Sequence, residues 1–286
     1  MSLLRRITGS LPCALFAVAA HLSAQAGLPE GLREKAQSGD ASAQFALAEH
    51  LFQPKDSAVL GPSEAALADA MFKERGAAVA EALQWYRRSA EAGNPEAHAK
   101  LALIFRRGLR VEKNPEAGLR WQISAARLGH VPSMLILEQD YGLGIGVERN
   151  LVESAKWAKL ASDKGVVSGH FLMAVKLLEG SGVPKNVPEG LRLCKMAADR
   201  AHIGAIIRLG VLHLDGEHVP QDLVEAYRLL LTARNLSSLT ALQPRFFMEK
   251  CEKLMTADQK AEAERLAARD TEALRQKLKE GHKAQK

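Results

Sequence analysis

The densest set of side chains able to ligate a metal is His213-Leu214-Asp215-Gly216-Glu217-His218. Two imidazoles and two carboxylates are donors that zinc or another divalent ion takes, but their spacing matches no standard site. Gly142-Leu143-Gly144-Ile145-Gly146 offers glycines that would let a backbone approach a pyrophosphate. A dinucleotide loop, however, follows a strand and opens a βαβ unit, whereas this run follows a helical pattern and has cousins elsewhere in the chain. Gly180-Ser-Gly-Val-Pro-Lys185 lacks the spacing of a P-loop, no G-x-S-x-G elbow occurs, and neither Cys194 nor Cys251 lies in a recognised nucleophile signature. The expectation is therefore no catalytic residues, no cofactor, no metal, and a chain that is not an enzyme.

The elements that hold these residues come from a repeat. Gly108-Leu-Arg-Val111, Gly144-Ile-Gly-Val147, Gly180-Ser-Gly-Val183 and Gly216-Glu-His-Val219 stand 36 residues apart each time. Asn114, Asn150, Asn186 and Asp222 keep the same register, as do Ala125, Ala161, Ala197 and Ala233, while Trp121 and Trp157 give way to Leu193 and Leu229. A fixed period of this length marks stacked supersecondary units. Backwards, Trp85 and Gly93 lie 36 before Trp121 and Gly129, but Ala43, Leu47 and Leu51 match Ala97, Leu101 and Phe105 only at an offset of 54, so the first unit carries an 18-residue insertion, roughly Gln53 to Arg75. Within it, Ser63 to Arg75 could form an extra helix. The reading is an N-terminal capping helix at 27–40, repeats at 41–94, 95–130, 131–166, 167–202 and 203–238, and capping and charged tail helices at 239–286.

Each unit holds two helical stretches. Ala97, Leu101 and Phe105 recur at i, i+4, i+8 on the first, and Ala117, Trp121 and Ala125 on the second, with glycine between. Small residues permit close helix packing, and Trp121 and Trp157 should fill the space between hairpins. If Trp121 is buried there, its replacement by alanine should cost about 3–5 kcal/mol. Asn or Asp ahead of the second helix suits an N-cap, and Pro115 and Pro188 suit its first turn. From Ala257 onward the charged, Ala-rich chain reads as an exposed helix with a frayed basic end.

Tyr141-Gly-Leu-Gly-Ile-Gly-Val147 together with Ala155-Lys156-Trp157 resembles the Sel-1-like repeat family, relatives of the tetratricopeptide repeats. The resemblance spans residues 41–238. It implies an all-α, right-handed α/α solenoid of helix-turn-helix repeats and a role in assembling protein complexes, with enzymes uncommon. Arg110 stands where the family has glycine before Val, and Leu193 and Leu229 replace the usual aromatic.

The bulk numbers agree with a folded helical protein: 47% apolar, 25% charged and only 5% aromatic residues. The net charge of +6 includes an excess in the last 48 residues, where 11 basic face 8 acidic side chains. Elsewhere the signs alternate without the basic stripe that a nucleic-acid binder needs. Residues 1–26 read as a secretory signal, with Arg5 and Arg6, an apolar Leu11 to Leu22 and the small-x-small Ala24-Gln25-Ala26. Cleavage would leave Gly27 first, with no stable membrane anchor, in the periplasm or outside the cell. It would also remove Cys13, leaving two cysteines that either pair once or serve as small buried hydrophobes.

The expected partner is a protein or peptide held along the first helices. With Ala97, Leu101 and Phe105 facing the core, the other edge carries Lys100, Ile104 and Arg107. Equivalent trios are Ala46, His50 and Gln53; Ile136, Asp140 and Leu143; Leu172, Lys176 and Glu179; Arg208, Leu212 and Asp215. From these, His50, Lys100, Ile104, Arg107, Ile136, Asp140, Leu172, Lys176, Glu179, Arg208 and Asp215 are the candidate contacts. The mixture of charge and aliphatic surface suits an extended peptide or helix, and equally an ordinary solvated face. A cell-wall glycan or an envelope hydrolase, the latter using His213 and His218, are the alternatives.

Overall fold

The computed structural model describes residues 28–53, 65–237 and 242–284. The expected signal at 1–26 and much of the insertion lie outside the described residues. Among those described there are thirteen helices and no strand, and within each unit the helices pack on their neighbours in the chain, an all-α solenoid architecture. The chain divides into two compact units, one up to Ser133 and one from Met134.

The first unit contains α1 (Leu32–Gln37), α2 (Ala41–Phe52), α3 (Ala65–Glu91), α4 (Pro95–Arg107) and α5 (Pro115–Arg127). Its helix starts are set by side-chain caps that satisfy otherwise orphaned N–H groups. Asp40 accepts from the Ala43 N–H, Asn94 from Glu96 and Ala97, and Asn114 from Ala117. Pro95 and Pro115 fill first-turn positions where no donor is lost. Helix α3 runs unbroken from residue 65 to 91, so the later part of the insertion lengthens the second helix of the first hairpin instead of forming a helix of its own.

Leu47, Tyr86, Leu101 and Ile104 are fully buried in this unit's core. Phe45 and Phe52 meet Tyr86 edge-on at 5.8 and 5.9 Å. The tryptophan that the core encloses is Trp85, 6% exposed, whereas Trp121 is only partly buried and lies against the edge of His98 at 5.3 Å. The large truncation cost therefore moves to Trp85. Trp85→Ala should lose about 3–5 kcal/mol in urea unfolding, and Trp121→Ala distinctly less. A larger loss at Trp121 would contradict this packing.

Helix α6 (Val131–Leu143) begins at the division, and the second unit continues with α7 (Leu151–Asp163), α8 (Val167–Glu179), α9 (Val187–Ala198), α10 (Ile203–Asp215), α11 (Leu223–Leu236), α12 (Leu242–Glu252) and α13 (Ala257–Ala284). Asn150, Asn186 and Asp222 cap α7, α9 and α11 through the Glu153, Glu189 and Glu225 N–H groups. Stacking is close. A Cβ on Gly169 would sit 2.5 Å from the backbone of Ala161 and Ser162, so α7 and α8 approach nearly to backbone contact.

The tail departs from the sequence reading. Helix α13 lies against α11, burying Ala263, Ala267 and Thr271, with Arg228 paired to Asp270 and Arg275 donating to the Asn235 carbonyl at 2.7 Å. Three small residues spaced four apart make a narrow stripe that needs no large apolar side chain, which is why composition alone suggested a solvated helix. Cys194 and Cys251 are unpaired and sit in separate apolar clusters. Burial pushes their thiols up to about 12 and about 11, so both act as small hydrophobes.

Candidate interaction surface

The residues expected to form a wall on the first helices are not all accessible. Ile104, Asp140 and Lys176 are buried and cannot contact a partner; Leu212, at the same repeat position, is buried too. The reason is angular. A helix turns about 100° per residue, so Ile104 lies only about 20° around the axis from core-facing Ala97, while Leu103 lies about 120° away. The middle position of the last four trios thus belongs to the core, while His50 in the first is only half-buried, and the outward residue is one step earlier. Of the others, Arg107, Ile136, Glu179 and Asp215 are exposed, and His50, Lys100, Leu172 and Arg208 are half-buried. Arg208 pairs with Glu179 at 3.2 Å across the second unit's first helices.

In the first unit the first helices border an open, shallow cleft of about 380 Å³ lined by Phe45, Glu49, Glu96, Ala99, Lys100, Leu103 and His130. Helix α2 supplies Phe45 and Glu49, and successive turns of α4 supply Glu96, Ala99, Lys100 and Leu103. Leu103 is 38% exposed, large for an aliphatic side chain. Lys100 Nζ lies 2.7 Å from Glu49 Oε1, which also accepts the Tyr86 hydroxyl at 2.6 Å. Burial, followed by the neighbouring Glu49, raises the Tyr86 pKa, so that phenol remains a donor. Of the seven lining residues the sequence reading had placed only Lys100 in the wall. The available signal was Leu103, an aliphatic residue three after Lys100 on the outward face.

His130 closes one side of the cleft. Its Nδ1 accepts from the Ser133 N–H at 3.2 Å and meets Ser133 Oγ at 2.8 Å, so the imidazole occupies the cap position that Asn94 holds one repeat earlier. His202 does the same for α10 through the Ala205 N–H. A cap acceptor must be unprotonated. Burial lowers the pKa of His130 and of His202, and it lowers that of His170 with help from Arg200 and Arg192.

These shifts carry a sign. An unfolded histidine takes a proton near its ordinary 6.5, while the folded groups resist it, so the unfolded state binds more protons below that value. Stability is therefore full above about pH 7 and falls as the pH drops through 6.5 and below. The lowered carboxylates, Glu189 and Glu252 among them, act only below their ordinary 4.5. Thermal midpoints measured from pH 8 to 5 should decline, and His202→Asn, which keeps a cap acceptor, should flatten the decline. A midpoint independent of pH in that range would contradict the neutral-cap arrangement.

Inside the second unit, Lys176 forms part of a buried polar cluster. Its Nζ lies 2.9 Å from Glu138 Oε1 and donates to Ser154 Oγ at 2.8 Å, while Ser154 Oγ lies 2.8 Å from the Glu138 carbonyl oxygen. Other repeats place Ala102, Ala174 and Gly210 where Glu138 stands, and Gly118, Gly190 and Ala226 where Ser154 stands. The pair thus replaces a small-on-small helix contact. Polar residues in a column of small ones were the missed sequence signal. All three groups are enclosed by helices, so the cluster holds structure and does not meet a partner.

The other motifs are absorbed by turns. The Gly144 and Ile145 N–H groups are both bonded to the Asp140 carbonyl and have none to offer a phosphate. Around His213, Asp215 is exposed, His218 Nε2 lies 3.1 Å from Glu217, and no group of three metal-ligating side chains assembles among the described residues.

Comparison with known proteins agrees with this architecture. The Sel1 repeat model matches residues 63–94, 95–130, 140–166, 167–202 and 203–238. No curated protein matches. Among solved structures, the c5321 protein, a protective antigen of uropathogenic Escherichia coli strains with an SLR fold, is 26% identical, with a TM-score of 0.57 over 86% of this chain and 55% of that one. A Sel1 repeat protein from Oxalobacter formigenes is 24% identical, with a TM-score of 0.59 over 82% of this chain and 62% of that one. The chain thus spans little more than half the length of these structural neighbours. The protein belongs to the Sel1 repeat family, a family of protein-interaction scaffolds.

Proposed function

We propose that this chain is exported and serves in the periplasm or outside the cell as a scaffold that grips a protein partner on the outward face of its first helices. The observation that carries the binding reading is the cleft between α2 and α4, lined by Phe45 and Leu103 together with Glu96. An apolar floor rimmed by charge is the usual composition of a peptide-binding groove. The scaffold character of the family supports it, and the absence of a recognised catalytic motif in the sequence leaves no competing chemistry to explain. Export is supported by the charged start, apolar run and Ala24-Gln25-Ala26 pattern of the first 26 residues.

A photo-crosslinking amino acid at position 103, in the chain starting at Gly27, should yield one reproducible protein adduct in an envelope extract. The same group at Leu160, exposed on the second helix α7, should not. Equal adducts at both positions, or none at either, would refute the surface. Mass spectrometry of the expressed full chain tests export separately: a product beginning at Gly27 is expected, and one retaining residues 1–26 contradicts it.

A further inference from the structure

We infer that the α2–α4 cleft selects a segment carrying an apolar anchor next to a lysine or arginine, a reading that rests on the proposed binding surface and names its partner's chemistry. The cleft is lined by two carboxylates, Glu49 and Glu96, and one ammonium, Lys100. Lys100 is already engaged at 2.7 Å by Glu49, whose same oxygen takes the Tyr86 hydroxyl. The charge of Lys100 is therefore spent within the wall. No ion pair holds the Glu96 carboxylate among the described residues; its charge acts on His130, but more weakly than burial does. That imidazole is kept neutral at pH 7 by burial and by its role as a cap acceptor, so it does not cancel Glu96.

One negative charge thus remains beside an apolar floor of Phe45, Ala99 and Leu103. A volume of about 380 Å³ is at the small end for ligand pockets. It accepts one or two side chains of an extended segment. Complementary charge at a rim chooses the partner more than it sets the affinity, so selectivity is the quantity to read.

The test uses three labelled nonapeptides with the same Leu and Phe residues, interleaved with Lys, Ser or Glu, titrated by fluorescence anisotropy at low salt against residues 27–286. The Lys peptide should bind at least fivefold more tightly than the Glu peptide, with the Ser peptide between. Glu96→Lys should reverse that order, and Leu103→Asp, at a partly exposed position, should abolish binding while leaving thermal unfolding unchanged. Equal affinity for all three peptides, a preference for the Glu peptide, or an order unaffected by Glu96→Lys would overturn the inference. If no peptide binds while position 103 still crosslinks, the charge reading fails and the surface stands. If crosslinking is also lost, both fall.

Discussion

Gly182→Ala should destabilise the chain by about 2–5 kcal/mol, the sum of a left-handed backbone penalty and an overpacking term. Gly182 has φ +75°, and a Cβ there would stand 2.0 Å from the Leu151 carbonyl oxygen and 2.9 Å from the Val152 nitrogen. Those atoms are backbone at the start of α7, so no side chain can swing away. The turn between α8 and α9 would have to lift off the preceding hairpin. Gly146 provides the control, since it occupies the same position one repeat earlier at φ +71° with nothing within 4 Å of its Cβ direction. Gly146→Ala should cost only about 1–2 kcal/mol. Urea unfolding of the two variants isolates the packing contribution, and equal losses would contradict the close stacking.

The same turn explains the departures from the glycine pattern. Arg110 and His218 occupy it at φ +58° and +67°, a conformation that glycine holds more cheaply. Arg110 recovers something for the strain, because its guanidinium donates to the Phe52 carbonyl at 2.8 Å and lies 5.4 Å from the Phe52 ring. It ties the turn after α4 to the end of α2.

Lys176→Met should lose about 3–5 kcal/mol, because it strands the Glu138 carboxylate inside the second unit. The side chains of Lys176 and Glu138 are only 9% and 12% exposed, so water cannot take over. Replacing all members of the cluster by what other repeats use, Glu138→Ala with Ser154→Gly and Lys176→Leu, should restore stability to within about 1–2 kcal/mol of the original, since buried ion pairs contribute little over well-packed apolar groups. A triple variant as unstable as Lys176→Met would show that the polar cluster itself supplies net stability. Since the apolar solution is already used one repeat later at Ala174, Gly190 and Leu212, the cluster marks one hairpin junction as different from that neighbour.

Much of the fold was legible because repetition makes each helix vote several times. The turns, caps and hairpin pairs follow from columns such as Asn114, Asn150 and Asn186, whose side chains cap as their spacing suggested. The surface was only half legible. Spacing of i, i+4, i+7 fixes a stripe, but its rotation relative to the core depends on how wide the buried arc is. On α8 that arc includes both His170 and Lys176, polar residues that hydropathy assigns to solvent. Glu138 and Ser154 escaped notice for the same reason. Phe45 and Glu49 entered the cleft through a contact between helices separated by the insertion, which no local pattern reports.

Hydrogen exchange on a complex with the captured partner tests the binding account most directly. Protection should concentrate on residues 45–52 of α2 and 96–107 of α4, with the second helices α5 and α7 unchanged. Protection centred on α5 or α7 instead, with α2 and α4 exchanging as in the free chain, would contradict it.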